Sequence, residues 1–260
     1  MSYALIPDAD VPALPTPPPI PAESPRPIAH WTHTLALVFI LLLFTFFGHA
    51  RSTATAIDAT PKVMRYGTSI LLEWLLLGAV IAGIYQRRTF FLAAFRSREN
   101  TNGSAAAYGL VVYFLGFMAV LVTGAALYFK PLFHKRNQEV VLAMLPHTPL
   151  DFLMWFGVSL TAGICEEIIF RGYLLQQLNA WTRRPTLSII LAALLFGSVH
   201  LYEGLGAILP LAALAIVYGL VVRHFKGDLR AVVVAHTLQD FIVALIALAQ
   251  PFVERYAPKH

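Results

Sequence analysis

Seven long apolar runs decide what this chain can become. They read TLALVFILLLFTFFG (34–48), TSILLEWLLLGAVIAGIY (68–85), AYGLVVYFLGFMAVLVTGAALYF (107–129), FLMWFGVSLTAGIC (152–165), LSIILAALLFGSVHL (187–201), GAILPLAALAIVYGLVV (206–222) and AVVVAHTLQDFIVALIALA (231–249). A helix needs roughly 20 apolar residues to cross the hydrocarbon of a bilayer. The second, third, sixth and seventh runs reach that length. The first, fourth and fifth are short and need flanking residues, tilt or protein neighbours. The runs are continuous and lack the period-two alternation of a membrane barrel, so helix is the reading. The expected fold is all-α: a polytopic transmembrane bundle of about six to eight helices.

The regions between the runs agree with this. Residues 1–29 hold nine of the 17 prolines, a composition that favours a disordered or polyproline II tail. No basic segment precedes the first run as it would in a signal peptide, so that run is expected to remain as a membrane helix. Residues 30–148 are expected to hold N-terminal membrane helices and an interfacial segment at 130–148, and residues 149–252 a second helix bundle. Residues 253–260 would be a short tail. The net charge of +5 is scattered through loops such as QRRTFFLAAFRSR (86–98) and forms no single stripe, which argues against nucleic-acid binding. Both sets of loops are basic, so charge does not fix the orientation. The single Cys165 excludes an internal disulfide.

Only 13% of the residues are charged, yet CEEIIFRGYLLQQL (165–178) packs two acids and an arginine together. On a helix, side chains turn about 100° per residue. Glu167 and Arg171 then lie one turn apart, an i, i+4 ion pair, whether 150–180 is one helix or two meeting near Gly163. Glu166 points about 140° away from Arg171 and needs another partner. Candidates stand on later runs. His200 closes FGSVH (196–200) with Phe196 one turn before it, and HTLQD (236–240) puts His236 and Asp240 on one face. An ionisable group at membrane depth costs about 2.5 kcal/mol or more, so it faces the bundle interior or a watery cavity.

Glu166, His200, His236 and Asp240 would converge in such a cavity. A desolvated Glu beside confined water is a competent general base, and His can pass a proton or hold an oxyanion. The same residues could instead ligate zinc, with one position left open. Each motif alone also has a structural reading: an internal ion pair, an interfacial histidine, a polar pair joining helices. Cys165 reads as a small buried hydrophobe, and Glu73, in LLEWLL, as a packing or supporting acid. No H-E-x-x-H and no G-x-S-x-G is present.

The ordered set EEIIFR, FGSVH and HTLQD resembles the CAAX protease and bacteriocin-processing (abortive-infection) family of intramembrane endopeptidases. That family's pattern is Glu-Glu-x-x-x-Arg, Phe-x-x-x-His and His-x-x-x-Asn or Asp. The resemblance covers about 150–250. It implies Glu166 as the water-activating base with His200 as its partner, and His236 with Asp240 stabilising an oxyanion or holding a metal. Glu167, Arg171 and Phe196 would give structural support. Asp240 stands where prenyl-processing members usually carry Asn, and an ionised Asp cannot donate to an oxyanion. Zinc remains open as a cofactor. The implied partners are a membrane protein or peptide substrate and the lipid bilayer, in the cell membrane of a prokaryote. A proton- or cation-linked transporter and a catalytically silent scaffold are the alternatives. The absence of paired repeats, and the crowding of polar groups into the last 100 residues, favour one hydrolytic site.

Overall fold

A computed structural model describes residues 26–51, 60–85, 102–128, 130 and 138–256. The Pro-rich stretch up to residue 25, the basic loop 86–98 and the segment 131–137 lie outside the described residues. The described residues are helical throughout, with no strand among them. We number the helices α1 (Trp31–Arg51), α2 (Lys62–Tyr85), α3 (Asn102–Tyr128), α4 (Gln138–Met144) and α5 (Pro149–Thr182). They continue with α6 (Pro185–Val199), α7 (Leu205–His224) and α8 (Arg230–Tyr256). Five of these, α1, α2, α3, α5 and α7, are long and apolar enough to cross a membrane. Large apolar side chains such as Phe39, Phe46, Leu71, Phe114, Val122 and Leu153 point outward. An exposed apolar coat of this extent is stable only against lipid, and the molecule is a multi-pass integral membrane protein.

Residues 149–182 form one helix and not two meeting at Gly163. Its start is fixed locally. Thr148 Oγ1 accepts from the Asp151 amide (3.2 Å), Asp151 Oδ2 accepts from the Thr148 amide (3.0 Å), and Pro149 opens the first turn. This is a capping box, with Asp in the place of the usual Glu. At the other end Arg183 takes a left-handed conformation (φ 53°) and Pro185 starts α6 immediately. Two residues therefore turn the chain through a tight helical hairpin. Within α5, Glu167–Leu174 is a π-helix, and the Leu175 amide reaches back five residues to the Phe170 carbonyl. The even α-helical turn expected around the Glu-Glu pair is thus interrupted there. Insertions of this kind are rare and concentrate at functional sites.

The expected interfacial segment ends in α4, whose last carbonyls are capped by the start of α2. Lys62 Nζ donates to Leu145 O (2.6 Å), Tyr66 Oη to Met144 O (2.7 Å) and Arg65 Nη2 to Ala143 O (3.2 Å). These bonds supply donors that the short helix lacks within itself. A second polar knot fastens α1 to the far half of α5. Gln177, fully buried, accepts from the Ile28 and Ala29 amides and donates to Thr34 Oγ1 (2.7 Å). His33 Nε2 donates to Ala79 O (2.9 Å), leaving Nδ1 to accept from the Tyr173 hydroxyl (2.8 Å). The C-terminal helix runs on to Tyr256, past the boundary at 252 expected from the sequence.

The closest helix contacts use glycine. A Cβ on Gly163 would collide with Thr237 Oγ1 and stand 3.0 Å from the Thr237 amide and 3.1 Å from Val233 O, so α5 and α8 meet backbone to backbone. Small residues permit such approaches in membrane bundles. Gly163→Ala should therefore force the two helices apart and cost about 1–3 kcal/mol. Gly78→Ala, which meets no atom within 4 Å, should cost nothing. Thermal unfolding of both variants in detergent measures the difference; equal melting temperatures would refute the close approach.

Candidate active site

Three helices, α5, α6 and α8, bring the sequence-selected residues toward one another. The double-acid pair sits where α5 passes into its π segment. Glu167 is sealed from solvent, and its Oε1 accepts two bonds: Arg171 Nη1 at 2.9 Å and His236 Nδ1 at 2.7 Å. The pairing with Arg171 follows the sequence spacing. The bond to His236, 69 residues away on α8, has no local signal. A carboxylate accepts, so His236 Nδ1 carries its hydrogen toward Glu167 and Nε2 faces the other way. That nitrogen lies 3.9 Å from Glu166 Oε2 and 3.6 Å from Asp240 Oδ2.

Aromatic groups frame this arrangement. The Arg171 guanidinium stacks 4.3 Å from the centre of the Phe196 ring and 5.4 Å from that of Tyr218. Phe196 also meets Phe170 edge-on at 5.1 Å and lies 6.0 Å from the His236 ring. Phe196 is thus a shared wall between the buried cation and the imidazole. His200 stacks on it at 4.8 Å. His200 Nδ1 lies 2.8 Å from the Phe196 carbonyl, which can only accept, so Nδ1 carries hydrogen and Nε2 is left to the site. Asp240 interacts electrostatically with His200 as well as with His236 and Glu166. No hydrogen bond joins Glu166 directly to His200 among the described residues.

Exposure rises across the group. The Glu167 side chain is inaccessible, that of Glu166 is 16% exposed and that of Asp240 32%. The site therefore opens toward Asp240 and is closed behind Glu167. Trp155 Nε1 donates to the Asp240 backbone carbonyl (3.0 Å), fastening α8 to the first half of α5 at this opening. The turn Leu201–Glu203 lies beside it, with the Tyr202 ring 5.9 Å from that of His200. Burial, together with the Glu203, Glu166 and Asp240 carboxyls, pushes the Tyr202 phenol well above its usual range, so it stays a protonated donor.

Sequence reasoning missed the place of Tyr202 and Glu203, which belong to no motif. It read Glu73 as a packing or supporting acid and gave it no place in the site. Glu73 Oε2 is buried with no hydrogen-bond partner among the described residues. A signal existed: Tyr66, Ile70, Glu73, Leu77, Val80 and Ile84 recur at helical spacing. Tyr66, Leu77, Val80 and Ile84 of that stripe are buried. The zinc set considered from the sequence was Glu166, His200, His236 and Asp240. Among the described residues no three His, Cys, Asp or Glu side chains are placed to hold a metal ion.

Arg171 alone offsets Glu167 within the helix, and removing it strands a buried carboxylate. Arg171→Ala should lower stability by about 3–5 kcal/mol. Denaturant or thermal unfolding in micelles checks this, and an unchanged midpoint would show that the pair contributes nothing to the fold.

A family model described as type II CAAX prenyl endopeptidase, Rce1-like, matches residues 148–242. The matched stretch begins at the cap of α5 and ends just past Asp240, so it holds both acids of the pair, Arg171, Phe196, His200, His236 and Asp240. Glu73 lies outside it. No curated protein and no solved structure matches the chain. Residues 148–242, less than half of the chain, are thus similar to the Rce1-like type II CAAX prenyl endopeptidase domain.

Proposed function

We propose that this protein hydrolyses peptide bonds of a membrane-associated protein or peptide, with Glu166 as the base that activates water. The observation that carries the reading is the convergence at the open end of a buried polar chain. Glu166 and Asp240 each come within 4 Å of His236 Nε2 where the site is accessible, and Glu167 and Arg171 lie sealed behind them. The family's peptidase activity supplies the reaction class.

In this reading, water bound between Glu166 and His200 gives a proton to the Glu166 carboxylate as its oxygen attacks the scissile carbonyl carbon. The carbonyl oxygen takes up the electron pair of the broken π bond. Donors at the rim, His236 Nε2–H in the imidazolium form and the Tyr202 phenol, stabilise the charge that develops. Collapse of the tetrahedral intermediate expels the amine, which receives the proton held by Glu166. His200, anchored through Nδ1, presents Nε2 as the acceptor that orients the water. Asp240 accepts and does not donate when ionised, so its role is to orient His236 and favour the imidazolium. No step calls for a metal.

Glu166→Ala and His200→Ala should each lower cleavage about 10²–10⁴-fold without shifting the melting temperature. The substrate is sought by comparing the membrane proteomes of cells producing wild type and Glu166→Ala, in which uncleaved chains accumulate. Wild-type rates from Glu166→Ala on such a substrate would remove Glu166 as the base. Exhaustive chelation should leave the activity of the purified protein unchanged. Loss on chelation, restored by zinc, would bring the metal-dependent mechanism back.

A further inference from the structure

The two N-terminal helices, outside the matched domain, grip α5 where its π segment ends. They do so through a run of hydrogen bonds with one direction. Gln177 fixes its start. The Gln177 Oε1 takes the Ile28 and Ala29 amides (2.7 and 3.2 Å), which can only donate, so Nε2 is the donor to Thr34 Oγ1 at 2.7 Å. Ala79 on α2 fixes its end. The Ala79 carbonyl can only accept, so His33 Nε2, 2.9 Å away, carries the hydrogen of a neutral ring and Nδ1 is bare. The Tyr173 hydroxyl, 2.8 Å from that Nδ1, therefore donates to it and accepts from Thr34 Oγ1 at 2.8 Å. The other contact of the Thr34 hydroxyl, to His30 O, is longer at 3.4 Å. The chain thus runs Gln177, Thr34, Tyr173, His33, Ala79, from α5 through α1 to α2. Tyr173, Thr34 and Gln177 are buried, so each lost bond strands a polar group.

The seat of His33 is shaped for it. A Cβ on Gly83, one turn beyond Ala79, would collide with the His33 ring, so the imidazole lies directly on the α2 backbone. Tyr173 meets the same ring edge-on at 5.7 Å. Tyr173 also belongs to the π segment Glu167–Leu174, two residues after Arg171. Relaxing that segment to a regular helix would rotate everything before it by about 100° relative to everything after it. Glu166 and Glu167 would then leave the azimuth at which they face α8. We infer that Tyr173 and His33 are positioning residues: the chain from Gln177 to Ala79 holds the π segment in register and keeps the two acids on His236. Neither residue touches the reacting atoms. The activity arm of this inference rests on the reading of Glu166 as the base; the register arm does not.

Tyr173→Phe deletes the middle of the chain and His33→Leu its last donor and acceptor. His33→Gln retains both, with Oε1 accepting from Tyr173 and Nε2 donating to Ala79 O. Hydrogen–deuterium exchange of the full-length protein in micelles, read on peptides spanning 165–178, reports the register without a substrate. Amides of this stretch should exchange roughly tenfold faster in Tyr173→Phe and His33→Leu, while those of α3 and all amides of His33→Gln keep wild-type rates. Unchanged exchange at 165–178 would overturn the inference, and so would equal acceleration in every helix, the mark of a general loss of stability. On a substrate found through Glu166→Ala, Tyr173→Phe and His33→Leu should lower kcat roughly tenfold with KM unchanged, and His33→Gln should stay within about threefold of wild type. Faster exchange with wild-type kcat would remove the positioning role. If no chain accumulated with Glu166→Ala, the base assignment would fail, and exchange would still decide whether the register is held from α1 and α2.

Discussion

The Glu167 carboxylate is the point on which the interior depends. It has no access to water, and its two inward bonds come from Arg171 on its own helix and His236 on another. A lone buried carboxylate is among the costliest groups a bundle can hold, and insertion into hydrocarbon sharpens that cost. Held at Oε1 from two helices, the same group becomes a constraint, while its Oε2 is buried with no partner. It sets the rotation of α8 about its axis, because only one azimuth delivers His236 Nδ1 to it. With that nitrogen committed, Nε2 has one direction left to face, toward Glu166 and Asp240. The architecture of the site is thus written from the sealed end outward.

The π segment gives this constraint its reach. Glu167 opens the irregular stretch and Arg171 lies within it, so the ion pair forms on a widened turn whose amides bond five residues back. The guanidinium then fits between the Phe196 and Tyr218 faces. Arg in such a slot gains from its flat, weakly hydrated head, which Lys would not reproduce. Gly163 does the matching work one turn before the acids, letting α8 approach α5 closely enough for a 2.7 Å bond between His236 and Glu167.

Much of this was legible in the sequence because hydrophobicity is additive along the chain. Continuous apolar runs gave the helical class, and the i, i+4 spacing gave the Glu167–Arg171 bond. What stayed hidden depends on relations between helices. The π segment changes the turn without changing composition. The bond from Glu167 to His236 spans 69 residues, and nothing local at either end announces it. Glu73 belongs to no motif, and its meaning lies in the stripe it interrupts: an acid among Tyr66, Ile70, Leu77, Val80 and Ile84, on a face that turns inward. The apolar run 152–165, too short alone, is one half of a 34-residue helix, the single-helix form of the two readings that the sequence left open for 150–180.

Length also explains why the opening lies where it does. The 15 residues of α6 rise roughly 22 Å, against about 30 Å of hydrocarbon. The chain leaves helical geometry at His200 and passes through the short turn Leu201–Glu203 before α7 begins at Leu205. Backbone that leaves helical bonding at membrane depth persists only where protein or water satisfies it. Here the Glu203 and Gly204 amides are bonded to the carbonyls of His200 and Leu201 at 2.9 and 2.8 Å. The Leu201 carbonyl also lies 3.2 Å from His49 Nδ1, near the end of α1. The short helix and its bonded turn thus place His200 between the Phe196 and Tyr202 rings without leaving these peptide groups unpaired.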